Sequence, residues 1–355
     1  MSKKLLAVGT IALLMVTASL LTAGCLEDDD EWDGTIRVAY LNGDIHQVAY
    51  FVAKSAEAGG GTSFFDQYDV KVENAKGAPY PNGGAVMKAF EAKDVDIGYL
   101  GSPPAITGHV NGKIPTKVIA QVNSLGSALV VREGINDVSD LVGKTIGTPG
   151  SSTIQHFMLL TYLEDNGISA SDVTISAPVL VGQMKLELQE GVIDGFIAWQ
   201  PFPADAVDSG VGHVLADSTD IWPGHICCVL ATMQDFAKDH PEAVTAYLRA
   251  HIAATKWIQQ AMADKDSAEY QILVDISVDF TSRSETVVKD ALDGMEYGYA
   301  LDTTFLDSFE DYVDELIRQG TLTPENMEAG GFTDGADVTD KYVDDTFIKD
   351  AEGSL

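Results

Sequence analysis

The chain has 355 residues, 45% of them hydrophobic, with 54 acidic against 22 basic side chains and a formal net charge of −32 at pH 7. Such a field repels nucleic-acid phosphates and anionic lipid headgroups and keeps a protein soluble at high ionic strength, so a nucleic-acid partner is excluded. Apolar residues are plentiful enough that burial does not limit the fold.

At the N-terminus, Lys3 and Lys4 precede an apolar run from Leu5 to Leu21, followed by Thr22-Ala23-Gly24-Cys25. A basic start, a hydrophobic stretch and small residues before a cut site describe a secretory signal over residues 1–24. Bacterial and archaeal lipoprotein signals end on such a cysteine, which makes Cys25 the expected lipidation site. The mature chain is then expected to be extracytoplasmic and lipid-anchored to the cell membrane. The fit departs in one detail: the usual leucine sits one place early, at Leu21, with Thr22 in its position. The alternative is an uncleaved anchor helix, the run being only marginally short of a membrane span. Both readings leave the rest of the chain outside the membrane. Leu26-Glu27-Asp28-Asp29-Asp30-Glu31 is self-repelling and reads as a solvated tether, assigned to residues 25–34. No other stretch is apolar enough to cross a bilayer. About 320 residues follow the tether, more than one compact core holds and suited to two lobes.

Strand-like and helix-like segments then alternate. Ile36 to Tyr40 reads as a strand ending in the polar loop Asn42-Gly43-Asp44, with helical periodicity from His46 to Ala56. Val70 to Val72 is a second strand. Gly83-Gly84 opens a helix whose Val86, Ala89 and Phe90 share a face. The strand Val95 to Leu100 ends in Gly101-Ser102-Pro103-Pro104. A second set begins near Ser127: strands at Leu129 to Val131 and Thr145 to Gly147, the turn Pro149-Gly150-Ser151-Ser152, and a helix from Thr153 to Asn166 stopped by Gly167. The strand Val173 to Ser176, the helix Gly182 to Glu190 and the strand Ile193 to Trp199 continue it. Repeated βα units predict a mainly parallel sheet covered by helices on both faces.

Two segments superpose without a gap. Asp96 falls on Asp194 and Pro103 on Pro201, each pair bracketing a buried strand and a proline-containing loop. Two similar lobes facing each other through such loops would enclose a cleft, and ligands of open α/β sheets bind at the carboxyl ends of the strands. Beyond Cys228 come a strand to Met233, a long amphipathic helix from His240-Pro241 towards Ala263, and further helical stretches through Tyr270, Val287 to Tyr299 and Phe305 to Arg318. Val338 to Ala351 reads as loop and a short helix.

Cys227 and Cys228 are adjacent, with Cα atoms about 3.8 Å apart, below the usual disulfide range. Together with His225 they invite a metal or nucleophile reading. Adjacent residues of a strand point to opposite sides, however, so both cysteines cannot easily join one site. A buried structural role is therefore expected for the pair, with no metal, cofactor or catalytic residue.

The segments Asp140-Leu141-Val142-Gly143-Lys144-Thr145-Ile146-Gly147-Thr148-Pro149-Gly150-Ser151-Ser152, Asp94 to Gly98, Asp194 to Pro201 and Phe236 to Glu242 together carry a family signature. Over residues 36–350 the chain resembles the nitrate/sulfonate/taurine-type substrate-binding proteins of ABC importers, a group that includes thiamine-pyrimidine-binding relatives. The resemblance implies a type II-like, two-lobed periplasmic-binding-protein fold with the ligand cleft between its lobes. It implies two crossings, near Val122-Asn123-Ser124 and Cys227-Cys228-Val229. Lobe one would be 35–123 plus 229–355, and lobe two 124–228. It also implies a monomer that binds a small molecule and docks on a permease and ATPase complex without transforming its ligand. The ligand expected is a sulfonate-, taurine- or nitrate-like anion; the alternative is a neutral or zwitterionic pyrimidine-type thiamine precursor. The pyrimidine-synthesising relatives bind iron through a longer cysteine run that this sequence lacks.

Candidate ligand contacts follow from the same positions. Ser151, Ser152 and Thr153 bring hydroxyls and free N–H groups to a helix N-terminus, where an anion is favoured; plain helix capping is the other reading, and the resemblance favours ligand contact. Gly83, Gly84, Gly101 and Ser102 are the corresponding donors of lobe one, or ordinary turn chemistry. Asn42, Asp44, His46 and Gln47 follow the first strand, where the resemblance implies a contribution to the cleft. Trp199 and Gln200 hold the matching loop of lobe two, and Gln183 lies near a helix start. None of these segments contains lysine or arginine, which leaves a neutral or zwitterionic ligand open; Asp44 would suit a cationic group.

Overall fold

The computed structural model describes residues 32–355. The expected signal at 1–24, Cys25 and the acidic run 26–31 lie outside the described residues. The apolar runs form β1 (Thr35–Ala39), β2 (Lys71–Asn74), β3 (Ile97–Gly101), β4 (Thr116–Gln121), β5 (Asn123–Leu125), β6 (Ser127–Val131), β7 (Thr145–Gly147), β8 (Thr174–Ser176), β9 (Gly195–Trp199), β10 (His213–Asp217), β11 (Cys228–Met233) and β12 (Met295–Tyr297). They assemble into one sheet of order β2-β1-β3-β11-β4, a second of order β10-β6-β9-β7-β8, and the small pair β12-β5. Helices cover both five-stranded sheets, giving two α/β lobes. The largely apolar β3, β6, β9 and β11 are buried along their whole length, as expected of strands covered on both faces.

The sheets are mixed, where a mainly parallel arrangement is expected from the repeated βα units. β1 runs parallel to β2 and β3, but β11 is antiparallel to β3 and β4. In the second sheet β7 runs parallel to β8 and β9, while β6 is antiparallel to β9 and β10. The cause is the same in both. β6 and β11 each follow a crossing between sheets, so each starts at the cleft end and runs away from it: Ser127 pairs with Trp199, and Cys228 with Gly101.

The aligned Asp96 and Asp194 hold equivalent places. Asp96 N donates to Arg37 O while its carboxylate accepts Arg37 N at 2.8 Å. Asp194 N donates to Thr145 O while its carboxylate accepts Thr145 N at 2.8 Å. Each also holds an arginine, Arg37 at 2.6 Å and Arg132 at 2.5 Å. The acid closes the open end of a parallel strand pair, satisfying an N–H that has no ladder partner. The prolines follow suit, Pro103 in the first turn of helix Ser102–Val110 and Pro201 at the cap of helix Phe202–Asp208.

Two segments of the helical C-terminal half differ from expectation. The stretch from Val287 to Tyr299 is helical only over Glu285–Asp293; Gly294 ends it, and Met295–Tyr297 forms β12 against β5 at the first crossing. The last segment forms two helices, Gly335–Tyr342 and Thr346–Glu352, each burying apolar side chains such as Val338, Tyr342 and Ile348. The helix Pro241–Ala263 packs on the first sheet, with Tyr247 and Tyr99 buried and hydroxyl-bonded at 3.2 Å. Among the described residues no helix is long and apolar enough to cross a membrane.

Candidate functional site

The loop after β1 folds back on itself. Gly43 turns it at φ +62°, a conformation that glycine adopts freely. Asp44 then caps the short 3-10 helix Ile45–Gln47, its Oδ1 accepting His46 N at 3.1 Å. Gln47 closes the loop, accepting Leu41 N at 2.7 Å and donating to Asp44 Oδ2 at 3.1 Å. All three side chains are buried. His46 is thereby held with Nε2 2.7 Å from Gly126 O and Nδ1 3.3 Å from Cys227 Sγ.

Three helix N-termini meet at the same place. Gly83 begins helix Gly83–Glu91, Gly101 caps helix Ser102–Val110, and Thr153 caps helix Ile154–Asp165. Gly83, Gly101, Thr153, Ile154 and Gln155 line one cavity with Asp44, His46, Trp199, Cys227 and Cys228. Its volume is about 20 Å³, room for about one water-sized species. The first two helices belong with the first sheet and the third with the second, so the cavity lies where the two sheets face each other at strand carboxyl ends. All three N-termini bring the positive ends of their dipoles to the cavity, which favours an anionic group without any lysine or arginine. Backbone N–H donors can come only from the Gly83 and Ile154 helix starts, because Ser102 N is bonded to Cys227 O and Pro103 and Pro104 carry no N–H. Trp199 adds a buried indole N–H with no hydrogen-bond partner, a donor that a ligand would satisfy.

The opposite wall is acidic and soft. Burial pushes the Asp44 carboxyl up to about 7, against the pull of His46. Burial alone would lower the His46 imidazole, but the sulfur of Cys227 and the carboxylate of Asp44 lift it to about 9. Burial likewise opposes ionisation of Cys227, yet the Cys228 thiol and His46 hold it well below the ordinary thiol range. Cys228, beside that thiolate, is pushed up.

Of the sequence-predicted contacts, Asp44, His46, Gly83, Gly101, Thr153 and Trp199 line the cavity. Gly84 faces Ser152 across the cleft: a Cβ on Gly84 would lie 3.6 Å from Ser152 Oγ. Gln47 stands behind Asp44, and Ser102 behind Cys227, with both its N and Oγ donating to Cys227 O at 2.9 Å. Gln200 supports the loop of the second sheet, its O accepting Ile45 N and its Oε1 accepting Ala204 N. Asn42 and Ser151 are exposed at the surface. Gln183 is exposed on helix Val181–Gln189, away from the cavity lining.

The expectation that Cys227 and Cys228 point to opposite sides is overturned. Their sulfurs lie 3.9 Å apart and both line the cavity. β11 begins only at Cys228; Cys227 still belongs to the crossing, its N donating to Asn123 O while Asn123 Oδ1 accepts Cys228 N. Strand alternation therefore does not govern the pair. Nor is His225 the partner of Cys227: His225 Nδ1 lies 2.8 Å from Ile226 O and 3.0 Å from Tyr312 Oη, and His46 takes that place. Gln155, Ile154, Leu41 and Pro104 also line the site and carried no sequence signal beyond apolar or helical pattern.

Comparison with known proteins identifies the chain's relatives. The model of the NMT1-like family matches residues 52–273, and the chain belongs to that family. It is 34% identical over 182 residues to the taurine-binding periplasmic protein of Escherichia coli (strain K12), covering 49% of this chain and 54% of that protein. It is 23% identical over 221 residues to the nitrate/nitrite binding protein NrtA of Nostoc sp. (strain PCC 7120), covering 56% and 49%. The chain thus spans about half the length of these curated relatives. The alkanesulfonate-binding protein SsuA from Xanthomonas axonopodis pv. citri bound to MOPS shares the fold, with a TM-score of 0.72 at 15% identity over 88% of this chain and 99% of that one. All three are binding proteins.

Proposed function

We propose that this member of the NMT1-like family is the solute-binding component of an ABC importer, anchored outside the cell membrane through Cys25. Its ligand is a small anion of the sulfonate, taurine or nitrate class, bound in the cleft between the two sheets and handed intact to a permease and ATPase complex. The observation that carries this reading is the convergence of three helix N-termini and the unpartnered Trp199 indole on one cavity. The named relatives bind taurine, nitrate or nitrite, and alkanesulfonates.

Asp44 favours the zwitterionic member of that class. An amino-sulfonate places its acid on the helix N-termini and its ammonium towards the buried carboxylate opposite. A ligand larger than the cavity requires the sheets to part, and the crossings at 122–126 and 225–228 are the hinge. Those crossings separate a first lobe, 35–123 plus 229–355, from a second, 124–228.

A thermal-shift panel of taurine, alkanesulfonates, nitrate, bicarbonate and pyrimidines tests the ligand class, with each compound recovered afterwards for mass analysis. Stabilisation by an anion recovered unchanged is the expected result. Consumption of the compound would replace the binder with an enzyme. Release of a Cys25→Ser variant from the membrane fraction tests the anchor separately.

A further inference from the structure

One wall of the cleft carries an imidazole and two thiols in a single cluster. His46 Nδ1, Cys227 Sγ and Cys228 Sγ lie within 4.8 Å of one another, all three buried. The separations are 3.3 Å for His46 to Cys227, 3.9 Å for His46 to Cys228, and 3.9 Å between the sulfurs. Zn–S bonds of about 2.3 Å and Zn–N bonds of about 2.0–2.1 Å at tetrahedral angles require about 3.8 Å between two sulfurs and about 3.6 Å between sulfur and nitrogen. The observed triangle differs from that by a few tenths of an ångström. We propose that His46, Cys227 and Cys228 form a binding site for a thiophilic d10 cation, Zn²⁺ or Cu⁺, with its remaining coordination position facing the ligand cavity.

The surroundings are those of a ligand set held in place. His46 Nε2 lies 2.7 Å from Gly126 O, an acceptor, so Nε2 carries a proton and Nδ1 is the nitrogen that faces the sulfurs, its proton displaced when a metal binds; such an outer hydrogen bond orients metal-binding imidazoles. Cys227 is fixed from both sides, its O accepting from Ser102 N and Oγ and its N donating to Asn123 O. The N of Cys228 is fixed by Asn123 Oδ1. Positions are thus set by backbone bonds that do not depend on the metal. Two thiolates and a neutral imidazole match the donor set that soft cations select. Asp44 Oδ1, 3.4 Å from His46 Nδ1, adds buried negative charge beside the cation. The other chemistry of two neighbouring thiols is a disulfide. It would require the sulfurs to close from 3.9 Å to about 2.05 Å between Cα atoms already nearer than the usual range.

Three ligands from the protein leave a fourth position on zinc, as in sites that bind an exchangeable group. That position opens on the same cavity as Gly83, Gly101 and Thr153. An anion held by the helix N-termini would complete the coordination. The metal site itself rests on His46 and the two cysteines, and stands whether or not the importer reading does.

The test uses the full chain, reduced and stripped of metal with a chelator. Zn²⁺ is titrated against a competing chromophoric chelator, stoichiometry is read by native mass spectrometry, and Co²⁺ serves as a spectroscopic probe. One Zn²⁺ per chain is expected, together with an intense thiolate-to-cobalt charge-transfer band. Cys227→Ser, Cys228→Ser and His46→Gln should each weaken Zn²⁺ by more than the about 10–100-fold of losing an outer-shell partner. No thiolate band in the folded wild-type chain overturns the proposal without reliance on any variant. So does Zn²⁺ affinity that none of the three substitutions changes. Titrating taurine and nitrate into the metal-free chain separates the two readings: anion binding without Zn²⁺ binding removes the metal site and leaves the importer component standing, and Zn²⁺ binding without any anion does the reverse.

Discussion

His46 Nδ1 lies 3.3 Å from Cys227 Sγ, joining residues 181 apart in the chain. The contact ties the loop after β1 to the point where the chain returns from the second sheet. One side chain therefore links the ligand-facing loop of the first sheet to a crossing, and Gly126, at the other crossing, accepts its second nitrogen. Movement of the sheets and occupancy of the cavity bear on the same imidazole.

Gly126 is where this arrangement is most exposed to substitution. Its φ is +85°, and a Cβ there would lie 2.4 Å from both His46 Nε2 and Met295 Sδ. Gly126→Ala should cost about 2–3 kcal/mol in a urea titration through left-handed strain and overpacking. It should also weaken ligand binding, because His46 must move. A variant with wild-type stability and affinity contradicts this placement.

Trp199 separates packing from ligand contact. Its ring is buried, but its Nε1 has no protein partner, so Trp199→Phe removes a donor the fold does not use. Anion affinity should fall about tenfold, the value of one good hydrogen bond. The thermal midpoint of the ligand-free chain should change far less than the affinity. Equal anion affinity in Trp199→Phe and wild type would make the tryptophan packing alone.

Asp96 and Asp194 test the duplication. Asp96 is 4% exposed and receives both the backbone N and the guanidinium of Arg37. Asp96→Asn should destabilise the chain by about 1–2 kcal/mol, since the buried carboxylate that accepts from the Arg37 backbone N and guanidinium loses its charge, while the partly exposed Arg37 stays solvated. Asp194→Asn should destabilise less, its carboxylate being more accessible (17% against 5%). The urea midpoints of both variants read this order directly.

Stability should also depend on pH through buried histidines. Burial pushes His109 and His251 down to about 4, whereas in the unfolded chain they titrate near about 6.5. Below that value the unfolded chain binds protons that the fold does not. The stability these groups contribute is therefore fully present above about pH 6.5 and lost as the pH falls towards 4. Between about pH 6.5 and 5 each should account for about 1–2 kcal/mol. His251→Gln should flatten the pH dependence of the urea midpoint over that window; a slope equal to that of wild type contradicts the assignment.

Much of this architecture is legible in the chain, because βα alternation, buried strands and capped helices are local patterns. The Asp96 and Asp194 alignment marks two equivalent strand ends, and Thr153 and Gly83 mark two of the three helix starts at the cavity. What stays hidden is set by the crossings. That β6 and β11 run antiparallel depends on the end of the sheet at which the chain re-enters, which no periodicity records. The same applies to the cysteines: alternation puts adjacent strand residues on opposite sides, but Cys227 sits one residue before β11. Its direction is set by Asn123, more than a hundred residues away, and not by its neighbours. The C-terminal strand Met295–Tyr297 was masked in the same way by apolar residues compatible with a helix, and only its pairing with β5 makes it a strand.

Isothermal titration of the full chain with taurine, an alkanesulfonate and nitrate tests the central claim most directly. One binding site per chain for at least one of these anions, with the anion recovered unchanged after incubation, is the predicted result. No heat from any of the three at concentrations up to about 1 mM, the level at which binding is worth only about 4 kcal/mol, or conversion of the anion into another compound, would contradict it.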